Sequence, residues 1–248
     1  MTQPSNTAPA TRLPEVLVLQ HTLEDGPGYL GQWLDAHGVP WQVLCAEAGE
    51  AYPDSVNGYR ALAVLGGEWG ANDDRPSLRQ AEALIREADA LGIPVIGHCL
   101  GGQLMARAMG GRVERLPQPE VGWLAIQMAE SESARSWLGT SADAVVCQWH
   151  SDSFVGLPRG AELLASSPVC AHQAFAIGPH LAMQFHIEIT PEKIATWLAH
   201  PGPAYTAAIQ QHPDSVQAPD QMNAATPRHQ TASQTLASHI YTQWRTRW

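Results

Sequence analysis

The run Pro94–Gln103 reads P-V-I-G-H-C-L-G-G-Q, and its chemistry centres on Cys99. A β-run ends at Gly97 and Gly101-Gly102 opens a helical pattern, so Cys99 stands at a strand–turn–helix junction. The Gly97-x-Cys99-x-Gly101 spacing has the form of a nucleophile elbow, where small neighbours permit a sharp, strained turn that exposes the reactive side chain. A helix N-terminus favours a thiolate through its dipole and free amides. The Leu100 amide would then donate to an oxyanion. Taken alone, the run is equally consistent with a buried cysteine beside glycines that let a helix pack on a strand. A base decides between the two. Ala182–Glu188 reads A-M-Q-F-H-I-E, and in extended geometry His186 and Glu188, two apart, point the same way. A carboxylate so placed orients an imidazole and stabilises its charged form, completing a nucleophile–base–orienter set. A second oxyanion donor is available at Gly66-Gly67, in L-G-G-E-W-G straight after a β-run, with the Gly67 amide pairing with that of Leu100.

The elements that must hold these residues alternate. Short β-rich runs at 15–20, 41–45, 60–65 and 94–97 are separated by helical patterns at 28–37, 76–91 and 100–109. The strongest helix places Leu78, Ala81, Leu84, Ile85, Ala88 and Leu91 on one stripe. Alternation of this kind predicts an α/β fold whose mainly parallel sheet is covered by helices on both faces. The second half is richer in strands, at 123–128, 144–148, 161–165, 173–177 and 181–185. Thr190, Pro191 and Glu192 form a helix start for 190–198. Residues 1–13 are polar and Pro-containing and are expected to be disordered. Residues 14–200 are expected to form one domain. Residues 201–231 show no period and read as an extended linker. Leu236, Ile240, Trp244 and Trp248 recur every four residues, so a last helix docks back on that domain.

Composition excludes several classes. The 248 residues carry 24 Asp+Glu against 14 Lys+Arg, a formal net charge of −10, so there is no basic footprint for nucleic acid. No apolar run approaches a membrane span, and the N-terminus lacks the features of a signal peptide, which predicts a cytoplasmic protein with reduced thiols. Cys45, Cys147 and Cys170 read as small buried hydrophobes. His98, Cys99, His150, His186 and Glu188 lack metal-ligand spacing, so no metal is expected. His98 reads as a neighbour packed under the elbow, and Asp73-Asp74 as a solvated turn and helix cap.

With these residues in place, the sequence resembles a class I, triad-type glutamine amidotransferase. Such proteins join a PVxGxCxGxQ elbow to a Gly-Gly-Pro oxyanion loop and a late F-H-P-E. Pro94, Val95, Gly97, Cys99, Gly101 and Gln103 match the first motif, and Phe185, His186 and Glu188 the last. Trp149–Phe154 (W-H-S-D-S-F) and Gln173-Ala174-Phe175 resemble segments of stand-alone members similar to the glutaminase half of GMP synthase. The resemblance covers roughly residues 14–200. It implies a flavodoxin-like three-layer sandwich, Cys99 as nucleophile, His186 as general base and acid, and Glu188 as its orienter. Gly67 and Leu100 would form the oxyanion hole. Gly66, Gln103, Trp149, His150, Ser151 and Asp152 would line the substrate pocket. The implied substrate is glutamine or another γ-glutamyl small molecule, with no organic cofactor and a separate synthetase as the conceivable ammonia acceptor. Two positions depart from the pattern: Glu68 and Ile187 stand where prolines are usual. Rival readings are a γ-glutamyl peptide hydrolase, a subunit active only when docked on its acceptor, and a cysteine-based redox protein, which would leave H-x-E without a purpose. Oligomeric state is left open.

Overall fold

The computed structural model describes residues 14–141, 143–199 and 201–248. The expected disorder of 1–13 lies outside the described residues. Nine strands form one sheet in the order β2-β1-β3-β4-β9-β8-β7-β5-β6. Strands β1 (Val16–Gln20), β2 (Trp41–Cys45), β3 (Ala61–Val64), β4 (Val95–His98) and β9 (His180–Met183) run parallel to one another. Strands β8 (Ala174–Ile177), β7 (Glu162–Ser166), β5 (Arg112–Met128) and β6 (Asp143–Gly156) continue the sheet antiparallel. The parallel half is buried on both faces, as β1 shows. Val16 and Val18 enter one core, with Leu30, Trp33 and Leu34 of α1 (Gly28–Ala36). Leu17 and Leu19 enter the other, with Leu78, Leu84 and Ile85 of α2 (Pro76–Leu91) and Leu104 of α3 (Leu100–Ala108). This is the expected α/β architecture.

Three features differ from the sequence expectation. First, β5 and β6 are far longer than 123–128 and 144–148. Their pairing jumps between Arg115 and Glu120, where Pro117 and Pro119 cannot donate to a ladder, and it resumes to Gly156. Second, a short helix α4 (Glu132–Leu138) follows β5, with the Ser131 hydroxyl accepting from the Ala134 amide at 3.0 Å.

Third, the stretch expected as an extended linker is folded. After α5 (Pro191–Ala199) come α6 (Pro203–Gln211) and α7, which runs from Pro219 to Arg245. Between them the Val121 amide donates to the Ser215 carbonyl at 2.9 Å and the Gln217 amide donates to the Val121 carbonyl at 2.8 Å, and the Gln217 side chain bridges both backbone groups of Trp123 at 3.0 Å. Tyr205, Ala208, Val216 and Met222 form a third core with Val121, Trp123 and Ile194. The first half of α7 hid its period because its buried face is Met222, Thr226 and Ser233, and because Pro227 sits inside the helix. Its second half docks as expected, through Ala237, Ile240, Tyr241 and Trp244. Trp244 Nε1 donates to the Pro94 carbonyl at 3.2 Å, and Tyr241 Oη lies 3.2 Å from His98 Nε2, so the tail braces the underside of β4. No described helix is long and apolar enough to cross a membrane.

Candidate active site

Strands β1, β3, β4 and β9 deliver their carboxyl ends to one edge of the sheet, the position where α/β folds commonly bind ligands. At the end of β4 the chain turns so sharply that Cys99 adopts φ +48°, ψ −108°; it is the one non-glycine residue with positive φ among those described. Such a conformation costs on the order of 1–3 kcal/mol and persists only where its surroundings enforce it. Here they do. The Cys99 amide is tied to the Met183 carbonyl at 2.9 Å. A Cβ on Gly97 would lie 2.7 Å from the Gly101 backbone, one on Gly102 would lie 2.6 Å from the Met183 carbonyl oxygen, and one on Gly101 would collide with the Val64 carbonyl. The glycines therefore serve both readings offered by the sequence at once: they pack α3 against β3 and β9, and that packing holds the strained turn. Gly101→Ala is expected to destabilise the fold by about 2–4 kcal/mol, because the obstruction is backbone and cannot move aside. Thermal denaturation of the purified variant checks it, against Ala106→Gly in the same helix at about 1 kcal/mol.

Beyond β9, side chains alternate. Phe185 and Ile187 face the apolar core, whereas Gln184, His186 and Glu188 turn toward the elbow. Gln184 Nε2 approaches Cys99 Sγ at 3.5 Å. His186 Nδ1 lies 2.6 Å from Glu188 Oε1, and both residues are buried. The other ring nitrogen, Nε2, is buried without a well-directed hydrogen bond among the described residues. Burial alone would disfavour the imidazolium, but the Glu188 carboxylate and then the neighbouring Cys99 sulfur outweigh it and hold the ring's pKa well above its ordinary value. Burial likewise opposes the Glu188 charge, yet His186 and then Lys193 keep that carboxyl far below the usual carboxylate range. Cys99 and His186 thus occupy one electrostatic unit, with the Nε2 end of the ring free to exchange a proton.

Around them opens a cleft of about 950 Å³. Gly67, Cys99, Leu100, Gln103, Trp149, His150, Ser151, Asp152 and His186 all line it. A Cβ on Gly67 would lie 3.3 Å from the Leu100 side chain, so the loop after β3 abuts the start of α3. Leu100 begins α3, and its amide has no acceptor within the helix. Gln103 Nε2 donates to the Asp152 carbonyl at 3.0 Å and to Gln184 Oε1 at 3.2 Å. His150 is held from behind: Nε2 lies 3.1 Å from Glu120 Oε2, and Glu120 also accepts from Ser167 and Gln173. Two expected residues sit elsewhere. Glu188 lies behind the imidazole, against Nδ1 and off the cleft wall. Gly66 is beneath the wall rather than part of it, because a Cβ there would strike Asp25 and come within 3.0 Å of His186 Cε1. Asp73, expected to cap α2, instead accepts from the Gly70 amide at 3.0 Å and lines the cleft.

Residues 53–201 match the family model of glutamine amidotransferase class-I. The chain belongs to this family. It is 33% identical, with a TM-score of 0.90, to a crystal structure of a glutamine amidotransferase from Methylobacillus flagellatus, over 95% of this chain and 96% of that one. It is 29% identical to γ-glutamyl peptidase 3 of Arabidopsis thaliana over 163 residues, covering 62% of this chain and 65% of the peptidase. It is 39% identical to the glutamine-hydrolyzing GMP synthase of Lactobacillus delbrueckii subsp. bulgaricus over 101 residues, covering 40% of this chain and 19% of that synthase. The chain therefore spans less than two thirds of the length of either of these two relatives.

In this member of the family the sequence reading missed part of the cleft. Thr22, Glu24 and Asp25 reach it from the turn after β1, and Arg115, Leu116, Pro117 and Pro119 from the irregular segment of β5. Trp197 of α5 and Tyr205, Ala208 and Gln211 of α6 complete one wall. Trp197 meets the His186 ring edge to face with centroids 5.0 Å apart, and Trp149 packs on both Trp197 and Tyr205. Asp25, His186 and Glu188 offer ligand atoms within 4.8 Å of one another, the one such grouping among the described residues. The cation standing there is the Lys193 ammonium, 2.5 Å from Asp25 Oδ1 and 3.4 Å from Glu188 Oε1. The four cysteines are free and buried.

Proposed function

We propose that this protein hydrolyses the γ-amide of glutamine or of a related γ-glutamyl compound through a thioester on Cys99. The observation that carries the reading is the strained elbow cysteine sharing one cleft with an imidazole whose far nitrogen is fixed by a buried carboxylate. In this mechanism the Cys99 thiol gives its proton to His186, and the sulfur attacks the γ-carbonyl, forming a C–S bond. The Gly67 and Leu100 amides stabilise the oxyanion. His186 protonates the nitrogen as the C–N bond breaks, and ammonia or an amine leaves. Water, deprotonated by His186, adds to the thioester carbonyl; the C–S bond breaks and the thiol is restored. Glu188 holds the ring in the tautomer that presents Nε2 and stabilises its charge. Gln103, Trp149, His150, Ser151 and Asp152 frame the γ-glutamyl group. No step requires a metal or an organic cofactor.

The family relationship supports acyl transfer from glutamine, with any ammonia passing to a separate synthetase. The similarity to a γ-glutamyl peptidase, together with a cleft much larger than glutamine, supports a second substrate, a γ-glutamyl peptide. Incubation with a glutamine-analogue electrophile such as 6-diazo-5-oxo-norleucine is expected to modify Cys99 alone, as read by peptide mass spectrometry. Ammonia release from glutamine and amine release from γ-glutamyl dipeptides, measured at equal concentration, then rank the two substrates. Failure of both labelling and turnover of either substrate overturns the proposal.

A further inference from the structure

Among 248 residues the chain has 13 arginines and a single lysine, Lys193. That lysine is buried, with 8% of its surface exposed. The Thr190 hydroxyl accepts from its amide at 3.3 Å and starts α5 so that the side chain points inward. Its ammonium donates to Asp25 Oδ1 at 2.5 Å, to the Gly26 carbonyl at 2.8 Å and to Glu188 Oε1 at 3.4 Å. Glu188 Oε1 is the same oxygen that His186 Nδ1 engages. The ammonium also lies 5.3 Å from the centroid of the Trp197 ring, which in turn packs on His186. A buried ion pair is a poor stability device, because desolvation offsets most of its attraction. A charge spent on stability alone would be better spent elsewhere.

What the cation does for Glu188 is more specific. Ile187 stands between His186 and Glu188 and leaves the local backbone less constrained than a proline would. Constraint arrives from another element instead. The turn after β1 supplies Asp25 and the Gly26 carbonyl to Lys193, and the Tyr29 amide donates to the Glu188 carbonyl at 2.9 Å. Gly28, at φ +49°, lets that approach happen, since a Cβ there would collide with the Glu188 carbonyl.

We propose that Lys193, anchored by Asp25, is a positioning residue that holds the Glu188 carboxylate on His186 and sets the pH range over which the Cys99–His186 pair is charged. The inference rests on reading Cys99, His186 and Glu188 as the reacting set. The groups facing His186 and Glu188 are Cys99 at the elbow, Cys147 on β6, His98 on β4, Tyr241 on α7, Asp25 after β1 and Lys193 on α5. Burial keeps Cys147 and Tyr241 protonated and His98 neutral, so Asp25 and Lys193 are the neighbours whose charges act.

The test needs no substrate. The rate of Cys99 alkylation by iodoacetamide is measured against pH by peptide mass spectrometry, in wild type, His186→Gln, Lys193→Met and Asp25→Asn. Loss of a cation favours the protonated form of every neighbour, so Lys193→Met is expected to move both limbs of the profile up by about one pH unit. Asp25→Asn removes an anion and moves both limbs down by a similar amount. A merely structural ion pair predicts a lower melting temperature with neither limb displaced. Should Lys193→Met not fold, the downward displacement in Asp25→Asn carries the test alone. Unmoved limbs, or limbs moving the same way in both variants, overturn the inference while leaving the reacting set intact. If His186→Gln alkylates like wild type, the reacting set itself falls, and the inference with it.

Discussion

Replacing Cys99 by alanine is expected to lower γ-glutamyl amide turnover by at least about 10⁴-fold, since removing the nucleophile leaves only what binding and oxyanion donors contribute. Alanine keeps a Cβ at φ +48° and so inherits the backbone strain without the chemistry. Cys99→Gly separates the two. Glycine adopts positive φ at no steric cost, and the Gly97, Gly101 and Gly102 backbone that encloses the turn is unchanged. This variant should therefore be inactive, yet more stable than Cys99→Ala by about 1 kcal/mol. Steady-state ammonia release and chemical denaturation of the three proteins check both halves. The more stable glycine variant would show strain maintained to hold the sulfur at the cleft. A glycine variant no more stable than alanine would mean that the elbow is unstrained and its geometry incidental.

The elbow and the β9 segment were legible because their information is local. Strand, turn and helix follow one another within ten residues from Pro94 to Gln103, and a period of two fixes which way His186 and Glu188 point once the strand is recognised. Long-range partners leave no such mark. Asp25 and Lys193 are 168 residues apart, and nothing in E-D-G or P-E-K distinguishes a buried pair from two solvated charges. Counting lysines was the available signal, since a residue used once in 248 positions invites the question of where it sits. The helix from Pro219 was illegible for a different reason. Periodicity reports apolar faces, and the buried face of its first half is largely hydroxyl and small side chains, with Thr226 accepting from Trp123 Nε1 at 3.0 Å. Helical order there comes from docking onto the β5–β6 hairpin, which sequence pattern cannot anticipate.

Glu188→Gln is expected to lower kcat/KM by about 10²–10⁴-fold with little change in KM, because the carboxylate touches the base and not the substrate. The amide is close to isosteric, so packing around β9 and α5 survives. What disappears is a charge. In the wild type, burial disfavours the imidazolium, and Glu188 is the largest influence opposing it. Without that anion the His186 pKa drops, the ring gives up its proton at lower pH, and the alkaline limb of kcat/KM moves down. The glutamine side chain can also present its NH₂ group to Nδ1, which would favour the tautomer with hydrogen on Nε2, the wrong end for accepting the thiol proton. Stability should change with its own pH signature. The Glu188 carboxyl is held below its unfolded value, so its contribution is present above that value and is lost as the solution is acidified through the folded one. The variant should lack this component and lose less stability than wild type on acidification, which thermal melts between neutral and acidic pH would show. Kinetics that scarcely respond to Glu188→Gln would mean that Lys193, Asp25 and the packing of Trp197 orient the imidazole without the carboxylate. The His186 imidazolium would then need another source of stabilisation.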